Sequence, residues 1–215
     1  MTSYTTGIDF SHWDGLVDWD TTKSAGVQFA FCKATEGNAF LDNQFTRNRE
    51  EAQRVNIPMG AYHYYTPAID PIAQALWFTE VAPTCYGLPH VLDLESTTRV
   101  PANLRSRIQT FLREVTTITG QRPIIYTSFG FWSKYMGATD TLWALDYPLW
   151  IANYRDNAGP LIPRPWHPMQ WAFWQYTARG QGHAYGSQKI AVDLNLGAPG
   201  ILDQLTAPES HKRKG

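Results

Sequence analysis

Apolar residues in this chain fall into short runs, and between several of those runs they recur at intervals of three and four. Residues 6–10 read as a first strand, followed by turn chemistry at Ser11-His12-Trp13-Asp14-Gly15. A short helix over 18–25 closes on Gly26, and the aromatic, β-rich run 27–34 is a second strand. Asp42 is expected to cap a helix running to Val55, in which Phe45, Ala52 and Val55 give a thin apolar stripe. A third strand spans 57–65. Asp70-Pro71 then opens a helix to Val81, with proline where the first helical turn tolerates it.

The run 87–96 is apolar up to Leu92 and reads as a strand buried on both faces. The clearest helix follows: Leu104, Ile108, Phe111, Leu112, Val115 and Ile118 share one face, and Gly120 stops it. Strands at 122–127 and 149–154 flank a short aromatic helix over 129–135, and a proline-rich loop runs to Pro168. Segments 171–176 and 189–194 are strands whose connection is too short for a helical crossover, so they are expected to pair antiparallel. The alternation before them implies right-handed strand-helix-strand units on a parallel sheet. The predicted class is α/β: an irregular, flattened β/α barrel of about eight strands with fewer than eight helices, its site at the C-terminal strand ends. Residues 1–206 are expected to form one domain, and 207–215, with His211-Lys212-Arg213-Lys214, a flexible basic tail.

With 215 residues, 43% of them hydrophobic, the chain can bury a full core. A net charge of -1 gives no reason to expect nucleic acid or an anionic membrane surface as partner. No apolar run approaches the roughly 18 residues needed to cross a bilayer. The opening Met1-Thr2-Ser3-Tyr4 carries no basic start before an apolar core, so the expectation is synthesis in the cytoplasm without a signal peptide. Cys32 and Cys85 form no Cys-x-x-Cys pair and read as buried small hydrophobes. His12, His63 and His90 lack metal-ligand spacing, so no metal site is expected. Nine Trp, eleven Tyr and ten Phe fill a core, and also suit a cleft that stacks on sugar faces.

Carboxylates change the picture most. Asp93 and Glu95 end the run 87–96; two apart on a strand, they point to one side with backbones roughly 6 to 7 Å apart. Such a pair alone is most often a solvated edge. Two other apolar runs close the same way, at Asp9 and at Asp193, and three acid-bearing strand ends far apart in sequence point to one acidic pocket.

These residues sit in a larger pattern. Gly7-Ile8-Asp9-Phe10-Ser11 with Trp13, Lys33-Ala34-Thr35-Glu36-Gly37, Gly60-Ala61-Tyr62-His63-Tyr64, Leu92-Asp93-Leu94-Glu95, Ile125-Tyr126-Thr127, Leu149-Trp150-Ile151-Ala152, Trp174-Gln175-Tyr176 and Val192-Asp193-Leu194-Asn195 occur in the order found in glycoside hydrolase family 25 lysozymes, which the chain resembles from residue 6 to about 200. The resemblance implies a β/α barrel without cofactor. Its activity would be cleavage of the β-1,4 bond after N-acetylmuramic acid in bacterial peptidoglycan; the chain itself is expected to be a monomer. The wall-binding repeats that often follow in phage lysins do not follow here, which leaves wall targeting open. Without a leader, release by phage-type lysis or non-classical export would bring such an enzyme to the wall.

Glycosidic cleavage needs one carboxyl protonated and others ionised, and crowded acids hold a proton on one of their number. Glu95 is assigned as general acid, with Asp93, Asp9 and Asp193 completing the catalytic set. Two mechanisms stay open. In the preferred one the substrate's 2-acetamido oxygen attacks while Asp93 orients it; in the other, Asp9 or Asp93 attacks directly. Tyr62, Tyr126, Trp150 and Gln175 are the candidate substrate-binding residues. The competing readings are a catalytically silent barrel that grips peptidoglycan and a barrel glycosidase acting on chitin.

Overall fold

The computed structural model describes residues 3–155 and 159–206, so the expected tail at 207–215 lies outside the described residues. Nine strands form one sheet: β1 (Thr5–Phe10), β2 (Phe29–Glu36), β3 (Phe40–Leu41), β4 (Met59–Tyr64), β5 (Val91–Leu94), β6 (Ile124–Ser128), β7 (Leu149–Ala152), β8 (Phe173–Gln181) and β9 (Ala191–Gly197). From β1 through β2, β4, β5, β6 and β7 to β8 every neighbouring pair is parallel. β9 runs antiparallel to both β8 and β1 and closes the ring, while β3 is a short hairpin partner of β2. The expected barrel with its antiparallel C-terminal pair is therefore present, with six α-helical segments.

Local chemistry explains where the main helices begin and end. The helices are α1 (Trp19–Ser24), α2 (Phe45–Arg54), α3 (Pro71–Val81), α4 (Leu104–Thr119), α5 (Phe129–Phe131) and α6 (Ile201–Thr206). Asp70 accepts the Ile72 and Ala73 amides ahead of α3, and Gly120 ends α4 at φ 72°, a conformation glycine adopts without penalty. Asp42 departs from expectation. α2 starts at Phe45, and the Asp42 carboxylate instead binds the Gln44 amide and the backbone and ring nitrogens of His12.

The barrel buries apolar residues on both faces. On the outside, Ile8, Ala30, Leu92, Ile125 and Ile151 pack with Phe45, Phe78, Ile108 and Phe111 of the helices. On the inside, Phe29, Phe31, Val91, Ile124 and Phe173 form a separate aromatic plug, against which α6 packs Ile201, Leu202 and Leu205. Gly7 makes room for this plug, because a Cβ there would lie 2.2 Å from the Phe29 ring. His63 is a structural residue between sheet and helices. It bonds Thr35 at 2.8 Å and Gln74 at 3.2 Å, and burial pulls its pKa down to about 3, so the ring is neutral. No helix among the described residues is long and apolar enough to cross a membrane.

Candidate active site

Strand alternation carries the inward-facing positions up from the plug toward the C-terminal ends of the parallel strands. Two residues beyond Phe31 is Lys33, beyond Val91 is Asp93, beyond Ile124 is Tyr126 and beyond Phe173 is Gln175. β1 contributes Asp9 and β4 contributes Tyr62. Asp193 arrives differently from the expected strand end. It is the third residue of β9, and because β9 runs antiparallel its beginning lies where the parallel strands finish, directly opposite Asp9.

Asp9 is held by amides. Its Oδ2 accepts Gln175 Nε2 at 2.9 Å and Asn195 Nδ2 at 2.7 Å. The far ends of both amides are occupied: Tyr126 and Tyr154 hydroxyls donate to Gln175 Oε1 at 3.0 and 2.8 Å, and Trp150 Nε1 donates to Asn195 Oδ1 at 2.8 Å. Neither amide can flip without losing these bonds, so both present N–H groups to the carboxylate.

The four acids disturb one another. Burial, then Asp193, pushes the Asp9 carboxyl well up, while the Asn195 and Gln175 amides oppose. Asp93 is raised well above the usual range by burial and then by Glu95, with Lys33 opposing. Its Oδ1 is buried without a hydrogen-bond partner among the described residues. Glu95 lies just past β5 with exposed surface, yet surrounding atoms desolvate its carboxyl enough to raise it, Asp193 adds to this, and Lys33 opposes. Asp193 is lifted to about 6 by burial and by Asp14, against Lys189 and a hydrogen bond with Asp9.

Cation and rings complete the pocket. Lys33 is buried, 2.7 Å from Glu36 Oε2, with its ammonium 4.9 Å from the Tyr64 ring centre and 5.2 Å from that of Phe40. A cavity of about 490 Å³ opens beside Asp9 and Asp193, lined also by Tyr62, Asp14 and Trp13. Trp13 is 67% exposed on a 3-10 turn that Ser11 and Asp14 fix by reciprocal capping, and its ring lies 4.5 Å from that of His12.

The eight sequence-derived candidates thus lie in one region, with different parts to play. Trp150 is only 2% exposed and stacks on Phe31 at 4.3 Å, so its ring offers no face to a sugar; its contact is with Asn195. Tyr126 is likewise buried, its hydroxyl committed to Gln175. Gln175, the weakest candidate by sequence, is the centre of the network. Asn195, Tyr154, Lys33 and Asp14 were not singled out. Asn195 was detectable as the residue two beyond Asp193, and Lys33 as the residue two beyond Phe31, each on the same strand face; Tyr154 and Asp14 carried no local signal.

Comparison with known proteins agrees with this geometry. The sequence model of the glycosyl hydrolases family 25 matches residues 8–184. The uncharacterized protein YegX of Escherichia coli strain K12 is 36% identical over 95% of this chain and 74% of its own length. Lysozyme M1 of Streptomyces globisporus is 35% identical over 84% of this chain, which spans 64% of that protein. The crystal structure of a bacterial lysozyme from Streptomyces coelicolor superposes with a TM-score of 0.81 at 32% identity, covering 96% of this chain and 99% of the other. By sequence over most of its length and by fold, this chain belongs to the glycosyl hydrolases family 25.

Proposed function

We propose that this glycoside hydrolase is a peptidoglycan muramidase that cuts the β-1,4 bond between N-acetylmuramic acid and N-acetylglucosamine with retention, and that residues 1–206 work as one catalytic domain and as a monomer. The observation that carries the reading is that Asp9, Asp93, Glu95 and Asp193 stand at the same end of the barrel, near enough for each to be raised by the charge of another acid. One charged set sharing fewer protons than carboxyls is what glycosidic cleavage requires.

In this reading Glu95 is the general acid, because it stands at the exposed lip while Asp93 lies two residues deeper. Its proton passes to the glycosidic oxygen as the bond from that oxygen to C1 breaks. The substrate's 2-acetamido oxygen attacks C1, while Asp93 orients the acetamido group and balances the developing positive charge. Water then opens the cyclic intermediate, with the Glu95 carboxylate taking its proton. Asp9 is ill suited to attack directly, since two amides fix its Oδ2. Tyr62 and Trp13 border the opening and contact the sugar, whereas Tyr126, Trp150 and Gln175 act through Asp9.

Mass spectrometry of digested peptidoglycan tests this. Reducing ends on muramic acid are expected; reducing ends on glucosamine, or released peptides, would overturn it. A sugar ester trapped on an aspartate would exclude the acetamido route.

A further inference from the structure

Crossovers that contain α1 to α4 cover the outer face of the parallel strands, but β8 and β9 are joined by residues 182–190, whose one helical element is a 3-10 turn, Gly182–Tyr185. The outer side of this pair carries a run of rings. Tyr4 stacks on Trp171 at 5.7 Å, Trp171 meets Trp174 at 6.2 Å, and Trp174 meets Tyr176 at 5.9 Å. Tyr4, Trp174 and Tyr176 border a groove of about 1110 Å³, into which Tyr154 and Arg179 also face. Its lining among the described residues includes arginine and no acid.

This groove adjoins the acid pocket. Ala178, on the part of β8 that pairs with the start of β9, lines both. Tyr154 is 58% exposed in the groove, and its hydroxyl reaches the Gln175 oxygen behind Asp9. Resting on the muramidase reading, we propose that the groove is a second carbohydrate subsite, which holds the continuation of the glycan strand being cut. The apolar faces of its sugars would lie on the rings, and Arg179 would meet the carboxylates of its stem peptides. The exposed rings of Tyr4 and Tyr154, with arginines and no acid among the described lining residues, fit a ligand that is amphipathic and anionic, as that strand is.

The test uses Tyr4→Ala and Arg179→Glu, singly and together, in the full chain. Co-sedimentation with insoluble peptidoglycan is measured in a Glu95→Gln background, and turnover of both insoluble wall and a soluble wall tetrasaccharide in the active enzyme. Expected for the double variant are a drop of about tenfold in wall binding and wall clearing, unchanged tetrasaccharide turnover and an unchanged melting temperature. Wall binding and clearing equal to wild type would overturn the proposal while leaving the muramidase reading intact. An equal fall on both substrates would assign the residues to folding or to the reaction site and overturn it too. A wild-type dimer dissociated by the variants would give the surface to a second copy instead. Wild-type protein that cuts neither substrate would remove both readings.

Discussion

Gln175 donates to Asp9 at 2.9 Å while two tyrosine hydroxyls occupy its own carbonyl oxygen, so one amide links three strands and the segment after β7 to a single carboxylate. Replacing it by glutamate keeps the shape and turns a donor into another acid. Charge-assisted bonds of this kind are worth about 1.5 to 3 kcal/mol, so Gln175→Glu is expected to lower kcat/KM on cell walls by about 10- to 100-fold. Tyr126→Phe and Tyr154→Phe each leave the other hydroxyl in place. Each is expected to cost little alone, and the pair more than the sum, which a double-mutant cycle on kcat/KM measures.

Glu95→Gln keeps the side chain's size and removes its proton. Loss of general acid catalysis is expected to reduce kcat by at least about 10² to 10⁴. Because Glu95 lies past the end of β5 with exposed surface, melting temperature and wall binding are expected to be unchanged. Retained turnover of wall, followed by turbidity, would contradict the assignment.

Asp193 has a folded-state pKa of about 6, above the usual carboxylate value. The folded chain therefore holds this proton more tightly than the unfolded chain, and the resulting stability is fully present below the unfolded value of about 4 and lost as pH rises through about 6. Asp193→Asn removes that dependence. The variant is expected to be more stable than wild type at pH 7, by on the order of 1 to 2 kcal/mol, and less active. Denaturant melts at pH 4.5 and 7 check it; a wild-type advantage that grows with pH would refute it.

Gly7 belongs to the barrel floor. A methyl group there would sit 2.2 to 2.5 Å from atoms of the Phe29 ring. Overpacking of this kind costs about 1 to 3 kcal/mol, and Gly7→Ala is expected to fall in that range or above it. Phe29→Leu in the same chain is expected to restore part of the loss, measured by urea unfolding.

Much of the architecture was legible before any coordinates. Hydrophobic period separated helices from strands, and Asp70 and Gly120 marked ends that the structure keeps. The expected strand over 87–96 was longer than the four residues of β5, and it carried Glu95, which lies past β5 because ladder pairing with β6 ends at Leu94. Asp42 misled for a specific reason: its type favours a helix start, but the choice between capping α2 and pairing with His12 depends on where β1 and β2 lie in space.

By itself the sequence determined a ring of strands wrapped in helices and the identity of the acids, because periodicity and residue type are local properties. Tertiary structure alone decided the rest. β9 turns antiparallel and so brings Asp193 to face Asp9, and closure puts Trp150 inside, where it holds an amide. Lys33 lies within range of Asp93 and Glu95 only because β2, β4 and β5 are neighbours. Charges and hydrogen bonds act across distances of a few ångströms in space, and in this barrel those distances join residues as far as 186 positions apart.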